Sequence, residues 1–341
     1  MSVAVVTDST AYLPTGLVAD LDIEVVPLYV VLTGRSGREG LDVGSAEVAR
    51  TLAVRGQQVT TSRPTPGDFV AAYRRRLDAG ADRIVSIHLS GELSGTWDAA
   101  RSAAAQVGDH VVTVVDGRTA AMGTGFAVLA AARAAAAGAR ADEVADVARR
   151  TAAASSTLFV VDTLEHLRRG GRIGSAAAVL GTALSVRPVL HVQDGRIVLL
   201  EKVRTTSRAV ARLVQRVVDL CGDGPVSLAV HHLAAAPRAD ALAQQLRERV
   251  PMLRELHVSE LGAAIGAHVG PGALGVVVDP TATPASPDAQ PEPSVPADPG
   301  PAAPATAGPV ADPAADPGAE SSAEPVTAPG TDRQSGPTGE P

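Results

Sequence analysis

The chain has 341 residues, 45% of them hydrophobic and 20% charged, which excludes a collagen-like or wholly disordered chain and leaves room for two ordinary domains. Its single cysteine, Cys221, excludes a disulfide framework and any cysteine-based zinc or iron–sulfur cluster. The net charge of −7 is uneven: from Pro280 onward nine acids and one base make −8, which leaves +1 for the remainder, too neutral for a nucleic-acid binder with a broad basic face.

Taken in chain order, short β-branched runs alternate with longer alanine-rich stretches. Val3–Thr7, Glu24–Leu32, Arg83–Leu89, Val111–Val115 and Leu158–Val161 read as strands, and Ser45–Val54, Pro66–Ala79, Thr96–Val107, Met122–Ala137 and Ala141–Ala154 as helices. That alternation predicts a parallel sheet covered on both faces. After about Ala183 the rhythm changes. Val186–Val192 and Arg196–Val203 flank Gln193-Asp194-Gly195, a hairpin signal. A helix over Thr205–Leu220, a strand over Val226–His231, a helix over Arg238–Arg249 and strands over Arg254–Ser259 and Gly272–Val278 follow. The expectation is an α/β protein of two domains: 1–160 with a parallel sheet, and 161–279 with a mixed sheet that contains the hairpin.

The remainder, 280–341, holds 16 of the 25 prolines and no aromatic residue, so it cannot bury enough apolar surface to offset its backbone entropy and is expected to be disordered. No aromatic residue lies beyond Phe159, and so few in all cannot furnish a stacking platform for single-stranded nucleic acid. The first residues lack the basic and apolar regions of a secretory signal, and no run of ~18 strongly apolar residues appears. The expected location is the cytoplasm, without stable membrane insertion.

Several polar clusters fall where predicted strands end, the place where open α/β sheets bind ligands. Thr7-Asp8-Ser9-Thr10 follows the first strand, and Thr60-Thr61-Ser62-Arg63-Pro64-Thr65-Pro66 precedes a helix, with the Thr61 and Ser62 hydroxyls expected to point toward a cleft. Ser90-Gly91-Glu92-Leu93-Ser94-Gly95-Thr96 runs from a strand into a helix whose unpaired N–H groups could meet an anion, with Ser94 as an added donor. Taken alone, that segment reads first as a plainly capped helix, with Ser94 or Thr96 as the cap. Arg168-Arg169-Gly170-Gly171-Arg172-Ile173-Gly174 matches no nucleotide-loop pattern and reads as an exposed arginine hinge that could dock a phosphate-carrying partner through Arg172. His268 stands among glycines in Gly262–Gly275, with room to face a cavity, whereas His231-His232 lacks further ligands at metal spacing and reads as structural.

Together these segments resemble the DegV family of bacterial fatty-acid-binding proteins. The likeness rests on Val3-Ala-Val-Val-Thr-Asp-Ser-Thr10, Thr61-Ser-Arg-Pro64, Leu89-Ser-Gly-Glu-Leu-Ser-Gly-Thr96, Leu167-Arg-Arg-Gly-Gly-Arg-Ile173, Glu201-Lys-Val-Arg-Thr205 and Gly266-Ala-His-Val-Gly-Pro-Gly-Ala-Leu-Gly275. Arg63 departs from the family pattern, which more often has glutamine there. The resemblance implies a two-domain DegV-like fold with one long-chain fatty acid buried between the domains. It implies that Thr61, Ser62 and Ser94 bond the acyl carboxylate and that His268 lies near it. It also implies that the chain is no catalyst and needs no cofactor or metal, but presents its fatty acid to a separate fatty acid kinase for acyl phosphate formation in phospholipid metabolism. Two other readings stay open from the residues: a phosphotransferase using Arg172 on phosphate and His268 as base, and a regulatory protein acting through 280–341.

Overall fold

Strand β1 (Val3–Asp8) is followed by a 3₁₀ turn (Ser9–Ala11), helix α1 (Thr15–Asp20), and strands β2 (Glu24–Val26), β3 (Tyr29–Leu32) and β4 (Arg35–Arg38). Next come α2 (Ser45–Ala53), β5 (Val59–Ser62), α3 (Pro66–Asp78), β6 (Arg83–His88), α4 (Thr96–Val107) and β7 (Val112–Asp116). In this computed structural model, which describes residues 2–54, 56–179 and 187–281, those elements form two sheets. One is parallel, in the order β2-β1-β6-β7; the other is a small antiparallel sheet, β4-β3-β5.

The run Glu24–Leu32, expected as one strand, is broken. Pro27 has no N–H to give to a ladder and parts β2, in the parallel sheet, from β3, in the antiparallel one. Thr33 and Gly34, both with φ > 0, then turn the chain back into β4.

Helices α5 (Met122–Ala136) and α6 (Ala141–Ala154) lead into the second large sheet. Helix α5 is apolar nearly all round because Met122, Phe126 and Val128 share a core with Val5 and Val85 of the parallel sheet and with Ala229 and Val277 of the other. Strand β8 (Ser156–Val160) precedes α7 (Glu165–Arg169), a 3₁₀ turn (Gly174–Val179), β9 (Arg187–Gln193) and β10 (Arg196–Val203). The chain ends its described part with α8 (Thr206–Cys221), β11 (Val226–His232), α9 (Ala236–Arg249), β12 (Leu253–Glu260), α10 (Ala263–Val269) and β13 (Leu274–Asp279).

The six strands run in the order β10-β9-β8-β13-β11-β12, antiparallel except for β11 beside β12. Strand β8 is a member of this mixed sheet, so the chain changes sheets before Ser156. The hairpin turn forms as expected, with Asp194 and Gly195 at φ 51° and 81° and Gln193 opposite Arg196. Val186, at the start of the expected strand, and residues 282–341 lie outside the described residues.

Candidate functional site

Two caps set the loops of the site. Thr65 accepts the Asp68 N–H at 3.2 Å and Asp68 accepts the Thr65 N–H at 2.7 Å, so α3 starts sharply after Pro64 and leaves β5 free to run past the cavity. Buried Asp8 does the same at the end of β1. Its carboxylate accepts the Thr10 N–H at 3.0 Å, the Leu89 N–H at 3.2 Å and the His88 Nδ1–H at 2.9 Å. His88 continues through Ser86 to the Tyr73 hydroxyl, a fully buried chain in which every member has a partner. It joins the ends of β1 and β6 and places Thr10 and Leu89 in one wall.

That wall bounds a cavity with a mostly apolar lining. Leu28, Leu93, Phe159, Leu167, Ile197 and Val276 make it apolar. The polar groups that reach it are Thr10, Thr61, Ser94, Thr157, Arg172, His231 and His268, and most are already engaged. Thr157 pairs with Thr119 at 3.0 Å. His231 accepts the Met122 N–H on Nε2 at 3.3 Å and meets Ser259 with Nδ1 at 3.0 Å; burial, helped by the neighbouring histidines, holds it neutral, with its pKa down to about 3. Both of its ring nitrogens are thus engaged within the protein.

Other groups are less occupied. His268, on α10, meets the Thr61 hydroxyl with Nε2 at 2.8 Å. Its Nδ1 faces Gly170 and has no hydrogen-bond partner among the described residues; a Cβ at Gly170 would lie only 2.1 Å from that nitrogen, so glycine is needed for this approach. Burial first, then the Arg172 charge, push the His268 pKa down to about 4. A buried N–H is rarely left orphaned, so the proton of the neutral ring belongs on Nε2, where it donates to Thr61. The Thr61 hydroxyl hydrogen is then free to point elsewhere.

Ser94 lines the same cavity, its hydroxyl 2.8 Å from that of Thr96. The cap of α4 is neither of these but Gly95, with Ser94 accepting the Thr96 N–H at 3.3 Å from one residue further out. Ser62 is not brought to the site. Strand alternation turns it away from Thr61 into solvent, where its hydroxyl donates to the Arg63 carbonyl at 3.3 Å, and it is absent from the cavity wall. Arg63 itself lies across Gly95 at the start of α4.

Arg172 differs from the exposed hinge residue expected of it. It is half-buried, with Nε donating to the Leu93 carbonyl at 2.9 Å and Nη1 to that of Gly170 at 2.5 Å. It stands, with Thr61 and His268, in the wall shared by the apolar cavity and a second, more polar hollow lined by Gln57, His166 and Arg169. Among the described residues no cluster of three or more His, Cys, Asp or Glu could hold a metal ion, and no helix is long and apolar enough to cross a membrane.

A mostly apolar cavity reached by hydroxyl and imidazole groups has the chemistry to take an amphiphile. The pattern of the DegV family matches residues 2–281, and the chain belongs to that family. It is 55% identical over 276 residues to a DegV domain-containing protein of Streptomyces coelicolor, covering 81% of this chain and 98% of that one. With a DegV domain-containing protein of Mycobacterium tuberculosis it shares 46% identity over 288 residues, 83% of this chain and 99% of the relative. Among solved structures it is similar to a DegV family protein of Thermus thermophilus described for its fatty acid binding, with TM-score 0.77, 36% identity and coverage of 82% and 100%. It is likewise similar to DegV of Bacillus subtilis, described as a fatty acid binding protein, with TM-score 0.74, 33% identity and coverage of 82% and 99%.

Proposed function

We propose that this protein binds one long-chain fatty acid in the cavity, with the carboxylate at Thr61, Ser94 and His268, and presents it to a separate fatty acid kinase that makes the acyl phosphate. The observation that supports the reading is that Thr61, Ser94 and His268 line one mostly apolar cavity, with His268 bonded to Thr61. Each methylene buried contributes about 0.8 kcal/mol, so a sixteen-carbon chain brings roughly 10 kcal/mol before the cost of ordering it. The head group needs only to be satisfied. The freed Thr61 hydroxyl and that of Ser94 are neutral donors, and neutral donors leave a carboxylate more nucleophilic than a bidentate arginine clamp would.

Arg172, in the wall between the two hollows, suits a phosphoryl group or the kinase. The chain then acts without catalysis of its own, as a carrier in the cytoplasm. Solvent extraction of the purified protein followed by mass spectrometry should release a fatty acid, and delipidated protein should regain thermal stability with palmitate or oleate. Absence of a shift with every acid from fourteen to eighteen carbons would sink the reading. Acyl phosphate made from ATP by the chain alone would overturn the carrier role.

A further inference from the structure

Helix α10 supplies Ala264, Ile265 and His268 to the cavity wall, yet its N-cap, Gly262, has no side chain to bond the first turn. The bonds come from far along the chain. Glu39, one residue past β4, accepts the Ala264 N–H at 2.8 Å, and the Tyr12 hydroxyl accepts the Ile265 N–H at 3.2 Å. Tyr12 donates in turn to Glu39 Oε1 at 3.2 Å, and Ser9 donates to Oε2. The Ser9 oxygen accepts the N–H of Leu28, another wall residue, at 3.0 Å. The carboxylate is buried, and a Cβ on Gly262 would come within 2.3 Å of it, so the glycine is what admits Glu39 to the helix end.

A Ser or Asp at the N-cap would tie the helix only to itself. Glu39 ties it to the small sheet. Thr61 of β5 pairs with Val30 of β3, β3 pairs with β4, and the Glu39 N–H extends that pairing to the Leu28 carbonyl at 2.8 Å. The Thr61–His268 bond spans the same two elements, the small sheet and α10. Ala263, Ala264 and Ala267 pack there on Val30 and Val48 with little side-chain relief to fix an angular position, which leaves the polar links a share in setting it.

Building on the fatty-acid reading above, we infer that Glu39 is a positioning residue for the head-group site, holding α10 at the height where His268 meets Thr61. The test compares palmitate with hexadecanol, which has the same chain and no carboxylate, on delipidated full-length protein. Glu39→Ala should weaken palmitate about tenfold, the loss of a hydrogen bond to a charged group, and leave hexadecanol within about twofold. In a His268→Ala background the same change should cost less than about twofold further, because the two residues act as one unit. Glu39→Asp, which withdraws the carboxylate but keeps its charge, should give a smaller loss with the same preference for palmitate, and it decides the matter if Glu39→Ala does not fold. Equal weakening of both ligands, unchanged palmitate binding, or full additivity with His268→Ala would overturn the inference. Wild-type protein that binds neither ligand would refute the fatty-acid reading instead.

Discussion

Thr61→Val removes one oxygen and keeps the β-branched shape that suits β5, so its effect isolates the hydroxyl. In the free protein the His268 ring would lose its Nε2 partner while Nδ1, against Gly170, has none among the described residues. Leaving a buried polar group unsatisfied costs ~1–3 kcal/mol. For a protein of this size each kcal/mol lowers the melting temperature by about 2–4 °C. The variant also loses a carboxylate donor, so palmitate affinity should fall by about 1–2 kcal/mol, or about 5- to 30-fold. Calorimetric titration of delipidated protein, paired with thermal melts, reads both numbers. A lower melting temperature with unchanged affinity would show that Thr61 serves His268 alone. No change in either would show that the Thr61–His268 bond contributes nothing, and the site would have to be rebuilt around Ser94.

Ser94→Ala should weaken palmitate by ~1–2 kcal/mol, whereas Ser62→Ala should match wild type because that hydroxyl faces solvent; equal losses would contradict the face assignment. Acid should destabilise the apoprotein. His268 and His231 are held down to about 4 and about 3 from an ordinary 6.5, so below pH about 6.5 the unfolded chain takes up protons that the folded one refuses. The stability they lend is whole above that pH and shrinks toward pH about 4, by roughly 3 kcal/mol for His268 alone; urea melts should show a shallower slope for His268→Gln, and identical slopes would dismiss its part. Arg172→Ala should let the His268 pKa rise, since a neighbouring cation is lost, and should slow acyl phosphate formation by the kinase. An unmoved His268 resonance in an NMR titration, or full turnover, would argue against either half.

Much of the scaffold is legible in the chain because its signals are local. The period of α4, the β-branched run of β6 and the Asp194-Gly195 turn each lie within one element or its immediate flank. The joint between β2 and β3 was also written there, in Pro27, but a continuous apolar run hid it. Strands β4 and β5 are four residues each and α10 seven, too short for periodicity to announce them.

The site is another matter. Thr61 and Ser62 are both plausible donors, and alternation says only that they face opposite ways; it is the pairing of Thr61 with buried Val30 that turns Thr61 inward. Arg172 reads as an exposed charge until the Leu93 carbonyl, 79 positions earlier, takes its guanidinium. Glu39 carries no signal in its local sequence; α10, 225 residues later, docks on it and buries it. His268 finds Thr61 across 207 residues. Composition and short-range pattern settle which elements form, since those preferences are spent within a few residues. Which side chains share a cavity depends on strand register and on how sheets and helices pack, and these are settled only when distant segments exclude water from one another.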